Sequence, residues 1–361
     1  MSIAIVHDYL TQRGGAERVL LSMLKAYPTA PLYTSLYSPR TTFPEFQSRA
    51  IETSTLNRVG FLRHHHRLAF PVLAPAVSRL HVPASVVLCS SSGWAHGVSS
   101  EGRKIVFCHA PARWLYQTDA YLGSGRPIAR SVLGVFRSTL ARWDRRAAGS
   151  AHRYLANSTI VRRQILEQYG IEAEVVPPPH SIDPQGPTTP IDAVDAGFFL
   201  CVSRLLPYKH VDSVIQAFQG LRNQRLVIVG TGPEERRLRA MAPSNVSLLG
   251  SVSDTQLRWL YAKSAGLVAA SFEDYGLTPL EAAAFGKPTA ALRWGGYLDT
   301  VREGETGTFF DRPDPAPIRQ AVIDLTRGRF SQVTLRAQAA EFSEERFIDR
   351  LRALVGQESS D

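Results

Sequence analysis

Residues 271–286 read SFEDYGLTPLEAAAFG, and the fold follows from what this stretch is and what precedes it. The apolar run from Gly266 to Ala270 reads as a buried strand, and Ser271 to Leu277 as the loop leaving its C-terminal end. Thr278-Pro279-Leu280-Glu281 then predicts a helix start, with Thr as N-cap, Pro at the first helical position and Glu completing a capping box. The free amides of such a first turn can receive an anion. Taken alone, Glu281 either caps its own helix or binds a ligand. Glu273, in the loop, favours the second reading. Both carboxylates then stand at the mouth of one strand, where open parallel sheets bind their ligands.

The same strand, loop and helix unit recurs along the chain. Ile3 to Val6 reads as a strand, Thr11 to Gly15 as a loop and Glu17 to Ala26 as a helix, the first unit of a doubly wound sheet. No G-x-G-x-x-G is present, so this is not a dinucleotide fingerprint. Gly14 and Gly15 read equally as a turn that needs positive φ or as a close approach to a ligand, while Glu17 reads as a helix start. Further strands are predicted at 85–89, 104–108 and 154–157, with a helix over 158–169. Pro177-Pro178-Pro179 forms a rigid extended stretch and marks a boundary between domains at 1–178 and 179–341. The unit restarts with a strand at Phe198 to Val202, a loop holding Arg204 and Lys209, and a helix from Val211 to Leu221. Helical patterns at 315–327 and 337–354 close the chain.

Composition is that of a globular protein: 361 residues, 44% hydrophobic and 20% charged, which suits two domains of ordinary size. No apolar run is long enough to span a bilayer, and Met1 to Leu10 lacks the features of a signal peptide, so a cytoplasmic location is expected. Cys89, Cys108 and Cys201 each lie in or beside an apolar strand-like run, which suits buried reduced thiols rather than a disulfide framework or a zinc site. Charge is uneven. Residues 1–178 carry 21 Lys and Arg against 10 Asp and Glu, whereas residues 179–361 carry 20 against 22. One basic half predicts an anionic counterpart: nucleic acid, an anionic membrane surface or a phosphorylated acceptor.

Arg58 to Leu80, RVGFLRHHHRLAFPVLAPAVSRL, concentrates that charge without a single acid. Arg58, Arg63, Arg67 and Arg79 interleave with Phe61, Leu62, Leu68, Phe70 and Val72. The pattern suits the interface of an anionic membrane, with apolar side chains inserted and Arg at the head groups; the competing reading is a helix pair with a solvated basic face. Consecutive His64, His65 and His66 point in different directions on any helix, which argues against a metal site.

Three motifs in this order resemble the retaining glycosyltransferases of the GT-B fold, family 4. They are C-H-x-P-x-R from Cys108 to Arg113, R-x4-K at Arg204 and Lys209, and E-x7-E at Glu273 and Glu281. The first is similar to the segment found in enzymes that build bacterial surface polysaccharides, many of them mannosyltransferases. The resemblance implies an α/β protein with two doubly wound Rossmann-like domains facing each other across a cleft, and a last helix, about 342–361, packing back on the first domain. It implies that Glu281 holds the donor ribose and Glu273 contacts the donor sugar. Tyr275, Gly276, Leu277 and Thr278 would hold the diphosphate together with Gly14 and Gly15. His109 would reach the donor sugar at the transfer site, Arg204 and Lys209 would stabilise the diphosphate leaving group, and Arg113 would lie on the acceptor side. Ala112 departs from the larger residue often found at its place, His180 from the usual apolar residue and Asp299 from the usual Glu.

The implied reaction moves a hexose from a nucleotide-sugar, with mannose from GDP-mannose as the leading expectation, to a lipid-linked saccharide or glycolipid at the inner face of the plasma membrane. No D-x-D string occurs, so neither a metal nor any other cofactor is expected. The alternatives are a UDP-hexose-dependent transferase acting on a small natural product, a nucleotide-sugar 2-epimerase of the same fold, and a nucleotide-sugar binding protein without transfer. R-x4-K together with E-x7-E argues against the epimerase, and the intact His109, Arg204, Lys209 and Glu281 against the binding protein. Nucleic-acid binding has no matching motif.

Overall fold

The computed structural model describes residues 2–64, 69–117, 127–192 and 194–358. The chain divides into two compact units, Met1–Pro179 with Glu344–Asp361, and His180–Ser343.

Among the described residues, unit 1 is built on seven strands: β1 (Ile3–His7), β2 (Leu32–Thr34), β3 (Ile51–Thr53), β4 (Val86–Ser91), β5 (Arg103–Cys108), β6 (Arg153–Ala156) and β7 (Glu174–Val175). They pair in the order β3-β2-β1-β4-β5-β6-β7, and every pairing is parallel. The strand residues that flank the switch are buried on both faces, as a parallel sheet covered by helices requires; β4 is buried throughout. Chain order reverses between β1 and β4, so the loops after these two strands part there and leave a crevice, the ligand-binding position of open α/β sheets.

Unit 2 repeats the plan with six strands: β8 (Phe199–Val202), β9 (Leu226–Val229), β10 (Val246–Gly250), β11 (Gly266–Ala269), β12 (Thr289–Leu292) and β13 (Gly307–Phe310). Their order is β10-β9-β8-β11-β12-β13, again wholly parallel. Here the switch falls between β8 and β11. The loops that part at it are the one holding Arg204 and Lys209 and the one holding Glu273.

The single helix read over Ala337 to Leu354 is two helices, Gln332–Glu341 and Glu344–Gln357. The break at Phe342 and Ser343 is where the chain leaves unit 2 for unit 1. The last helix buries Phe347, Leu351, Leu354 and Val355 in the core formed by Ile5, Leu20, Leu24 and Phe107. Phe347 meets Phe107 edge-on at 5.7 Å, and Glu344 accepts from Ser22 and Lys25, both at 2.7 Å. Each buried apolar side chain contributes about 1.5–3 kcal/mol, so the four hold the helix to unit 1 far more firmly than the exposed Lys25 pair.

The basic segment of unit 1 splits by burial. Phe70, Leu73, Ala74 and Val77 of the helix Phe70–Ser78 are core residues, and Phe70 packs 5.6 Å from both Trp94 and Trp114. Phe70 is therefore unavailable for insertion into a membrane, contrary to the expectation from sequence, whereas Val59, Phe61 and Val72 are 47%, 61% and 42% exposed. His65, His66, Arg67 and Leu68 lie outside the described residues. Among the described residues no helix is long and apolar enough to cross a membrane. Cys89, Cys108 and Cys201 are buried free thiols.

Replacing Leu351, which is fully buried, by Ala should cost about 2–5 kcal/mol. The expected observation is a lower urea midpoint for the unfolding transition of unit 1, with no loss of secondary structure in the folded baseline.

Candidate active site

In unit 2, β8 ends at Val202 and the chain passes through Ser203 to Leu206 into a short 3-10 turn, Pro207–Lys209. His210, at φ 52°, is the one non-glycine residue with positive φ among those described. It turns the chain into the helix Val211–Gln219. Lys209 is 7% exposed, and its ammonium contacts the Oε1 atom of Glu273. Ser271 donates to the same oxygen at 3.0 Å and is itself linked to the Tyr297 hydroxyl at 2.8 Å. Burial, followed by the Glu273 charge, drives the Tyr297 phenol well above its ordinary range, so Tyr297 acts as a neutral hydroxyl. Arg204 is exposed, with Nη2 3.4 Å from the Tyr208 hydroxyl.

The loop after β11 differs from its sequence reading at one point. The helix spans Leu277–Ala284 with Gly276 as N-cap, so Thr278 is its second residue and Pro279 its third. No capping box forms. Gly276 takes this role because its φ is +89°, and a Cβ there would lie 2.6 Å from Tyr297 Cδ1. The paired glycines at 295 and 296 answer the same loop from the other side. A Cβ on Gly296 would lie 2.2 Å from Tyr275 Cα, and its amide donates to the Glu273 carbonyl at 2.9 Å.

With the capping role gone, Glu281 is free to serve elsewhere. Its two oxygens accept from Ser181 at 3.1 Å and from the Tyr261 hydroxyl at 2.7 Å, and the residue is 8% exposed. Unit 2 thus brings Lys209, Glu273 and the 275–278 turn to one switch point. Glu281 lies in the first turns of the helix that follows. The amides of the first helical turn have no intrahelical acceptor and lie where an anion is favoured. Ser181, Tyr261, Ser271 and Tyr297, which hold the two carboxylates, were not read from the sequence; only the tertiary fold brings them there.

In unit 1, the register pairs His7 at the end of β1 with Ser90 at the end of β4. The Ser90 hydroxyl lies 2.9 Å from His7 Nδ1 and 2.8 Å from His109 Nε2. His109 keeps some surface exposed, yet its imidazole is packed among protein atoms; burial, then the neighbouring His7, push it down to about 3. Its carbonyl accepts from Asn157 Nδ2 at 2.9 Å. Asp8 fastens the start of the loop after β4 by accepting from the amides of Ser92 at 2.6 Å, Trp94 at 3.2 Å and Ala95 at 2.6 Å. Behind it Trp94 stacks on Trp114 at 4.3 Å. Ala112 is fully buried, and a Cβ on Gly93 would lie 2.6 Å from its own Cβ. A larger residue at 112 has no room, which accounts for that departure by packing. Arg113 opens the short helix Arg113–Tyr116 and is half-buried.

Neither Gly14 nor Gly15 has positive φ, which removes the turn reading. Gly14 is the extended N-cap of the helix Gly15–Ala26, and a Cβ on it would lie 2.6 Å from Glu17 Oε2. Among the described residues, no three His, Cys, Asp or Glu side chains are placed together to hold a metal ion.

This arrangement, two doubly wound parallel sheets with polar groups at both switch points, is the two-domain GT-B fold. The family described as Glycosyl transferases group 1 matches residues 192–346. The chain is 32% identical to a D-inositol 3-phosphate glycosyltransferase of Acidothermus cellulolyticus over 52% of its own length and 48% of that protein's. It is 31% identical to a GDP-mannose-dependent alpha-(1-6)-phosphatidylinositol monomannoside mannosyltransferase of Mycolicibacterium smegmatis, covering 56% of this chain and 59% of that one. The chain spans about half the length of these curated relatives. Among solved structures, Anabaena HepE in complex with UDP-glucose superposes with a TM-score of 0.72 at 17% identity, covering 99% of this chain and all of that one. The chain therefore resembles the GT-B glycosyltransferases, mannosyltransferases among them.

Two measurements check this geometry. Gly276→Ala and Gly197→Ala both place a side chain at φ +89°, but only the first meets a neighbour within 4 Å. Gly197→Ala should cost about 1–2 kcal/mol, and Gly276→Ala should lower the melting temperature clearly further. For His109, the folded state binds its proton only near pH 3, while the unfolded chain binds it near an ordinary value of about 6.5. Between these pH values the unfolded state holds more protons, so this group's contribution to stability is present above about pH 6.5 and is lost as pH falls towards 3. A urea-midpoint profile of His109→Gln should be flatter over that window than that of the parent chain.

Proposed function

We propose that this protein is a retaining hexosyltransferase that moves mannose from GDP-mannose to a lipid-linked saccharide or glycolipid acceptor. The observation that carries the reading is the buried contact of Lys209 with Glu273 at the β8/β11 switch point, beside a helix start with free amides. A cation, a carboxylate and an amide turn suit a ligand that joins an anionic diphosphate to a sugar rich in hydroxyls.

In this reading the diphosphate lies against the amides of Gly276, Leu277 and Thr278, with Arg204 and Lys209 neutralising the charge that develops on it as the glycosidic bond breaks. Glu273 accepts from sugar hydroxyls, and Glu281, steadied by Tyr261 and Ser181, accepts from the ribose. His109 is the residue of unit 1 assigned to the sugar, with Gly14 and Gly15 near the diphosphate and Arg113 on the acceptor side. The leaving diphosphate takes the acceptor's proton, so the chain needs no carboxylate nucleophile and no metal or other cofactor. Mannose is favoured by the similarity to the GDP-mannose-dependent enzyme; UDP-hexose is the second reading, favoured by the fold shared with the UDP-glucose complex of HepE. A cytoplasmic protein peripheral to an anionic membrane is part of the proposal, supported by the exposed Val59, Phe61 and Val72 in a stretch of sequence that also carries Arg58 and Arg63.

Thermal unfolding with GDP, GDP-mannose, UDP and UDP-glucose tests it. A ligand at about a hundred times its Kd stabilises the native state by about 2.7 kcal/mol. Stabilisation by the guanosine compounds alone is the expected result; stabilisation by the uridine compounds alone moves the donor to the second reading; no shift with any of them rejects the diphosphate site. Lys209→Ala should abolish transfer and leave the circular dichroism spectrum unchanged.

A further inference from the structure

The Ser90 hydroxyl carries one proton and faces two imidazole nitrogens, His7 Nδ1 at 2.9 Å and His109 Nε2 at 2.8 Å. It can donate to only one of them, and where it does so it accepts from the other. The direction is decided at the far side of His7, whose Nε2 lies 3.9 Å from Glu17 Oε1, with side chains 3% and 2% exposed. A buried carboxylate at that distance favours a proton on the nitrogen facing it. With a single proton on His7, placed on Nε2, its Nδ1 is bare, Ser90 donates to it, and Ser90 Oγ accepts from an N–H at His109 Nε2. Asp8, the other charged group near His7, has both oxygens engaged by the amides of Ser92, Trp94 and Ala95.

Glu17 is placed for this task beyond what a helix start needs. Gln12 donates to its Oε1 at 3.0 Å. Its Oε2 has no hydrogen-bond partner and lies where any side chain on residue 14 would sit. A residue that served only the helix dipole would gain as much at the surface, without the cost of burying an unpartnered carboxylate oxygen.

We propose that Glu17 is a positioning residue acting through His7 and Ser90, fixing His109 as its Nε2–H tautomer and leaving Nδ1 as the ring's hydrogen-bond acceptor for a ligand hydroxyl. This assigns direction to a chain of four side chains drawn from β1, the helix after it, β4 and the end of β5. The inference rests on the proposed function only for the identity of the ligand. It gives His109 the part of an acceptor, so the switch point of unit 1 selects a sugar that carries a hydroxyl at the point it meets and discriminates against the corresponding deoxy sugar.

The test is a long-range proton–nitrogen correlation spectrum of the full chain with labelled histidine, recorded without ligand at neutral pH, which reads the tautomer of each ring directly. The parent protein should show His109 protonated on Nε2. Glu17→Gln, nearly isosteric, should move His109 towards the Nδ1–H form at an unchanged melting temperature. Ser90→Ala provides a second route should Glu17→Gln fail to fold, since it breaks the bridge and leaves Glu17 in place. In turnover, Glu17→Gln should lower kcat by about tenfold with a smaller change in the donor KM. An Nδ1–H pattern in the parent protein, or a His109 signature unmoved in both variants, overturns the proposal. The expected spectra together with no transfer from any nucleotide-sugar reject the transferase reading and leave the relay standing.

Discussion

The contact between Lys209 and Glu273 is the interaction on which the β8/β11 switch point of unit 2 depends for its shape. The two residues belong to loops that leave neighbouring strands, β8 and β11, in opposite directions, and the ion pair holds those loops together across the gap. Its setting explains why so many nearby residues are what they are. Ser271 takes up a further lone pair of the carboxylate, Tyr297 backs Ser271, and Tyr297 in turn leaves no space for a side chain at 276. Removing one partner of a poorly hydrated pair costs more than the pair contributes, because the other charge is stranded. The site is therefore a unit rather than a collection.

Unit 1 solves the equivalent problem with hydrogen bonds instead of an ion pair. At its switch point Asp8 gathers three amides of the loop after β4, which fixes the loop that stacks Trp94 on Trp114 and seats Ala112 against Gly93. Burial raises the Asp8 carboxyl, opposed first by His7 and then by the amides of Ala95 and Ser92. His7, Ser90 and His109 form a line of polar groups beside it, joined through the Ser90 hydroxyl.

The helix Glu344–Gln357 shows how sequence periodicity and topology part company. Its apolar face is plain in the sequence, and the pattern runs on without interruption from the helix before it. The break at Phe342 and Ser343 is imposed by the return of the chain to unit 1, where Phe347, Leu351 and Leu354 find their core. Similarly, β2, β3 and β13 are strands of three or four residues that carry too little pattern to be read locally. They exist because neighbouring strands offer a ladder.

What the sequence by itself determined is local and repetitive. Apolar runs of four to six residues gave the strands around both switch points, glycines and prolines gave the turns, and three spaced motifs placed His109, Arg204, Lys209 and Glu273 in the loops at strand ends and Glu281 in the helix that follows. Those features are legible because each depends on residues within one turn or one loop. The tertiary structure alone decided what each of these side chains does. It turned Glu281 from a helix cap into a carboxylate held by Tyr261 and Ser181, gave Gly14 a carboxylate neighbour rather than a turn, and placed the Ser90 hydroxyl between His109 and His7, with Glu17 beyond His7. Apart from the Gly14–Glu17 contact, those relations join residues from 10 to 100 positions apart in the chain. They are set by strand order and register, and a register is a property of the sheet, carried by no single stretch of sequence.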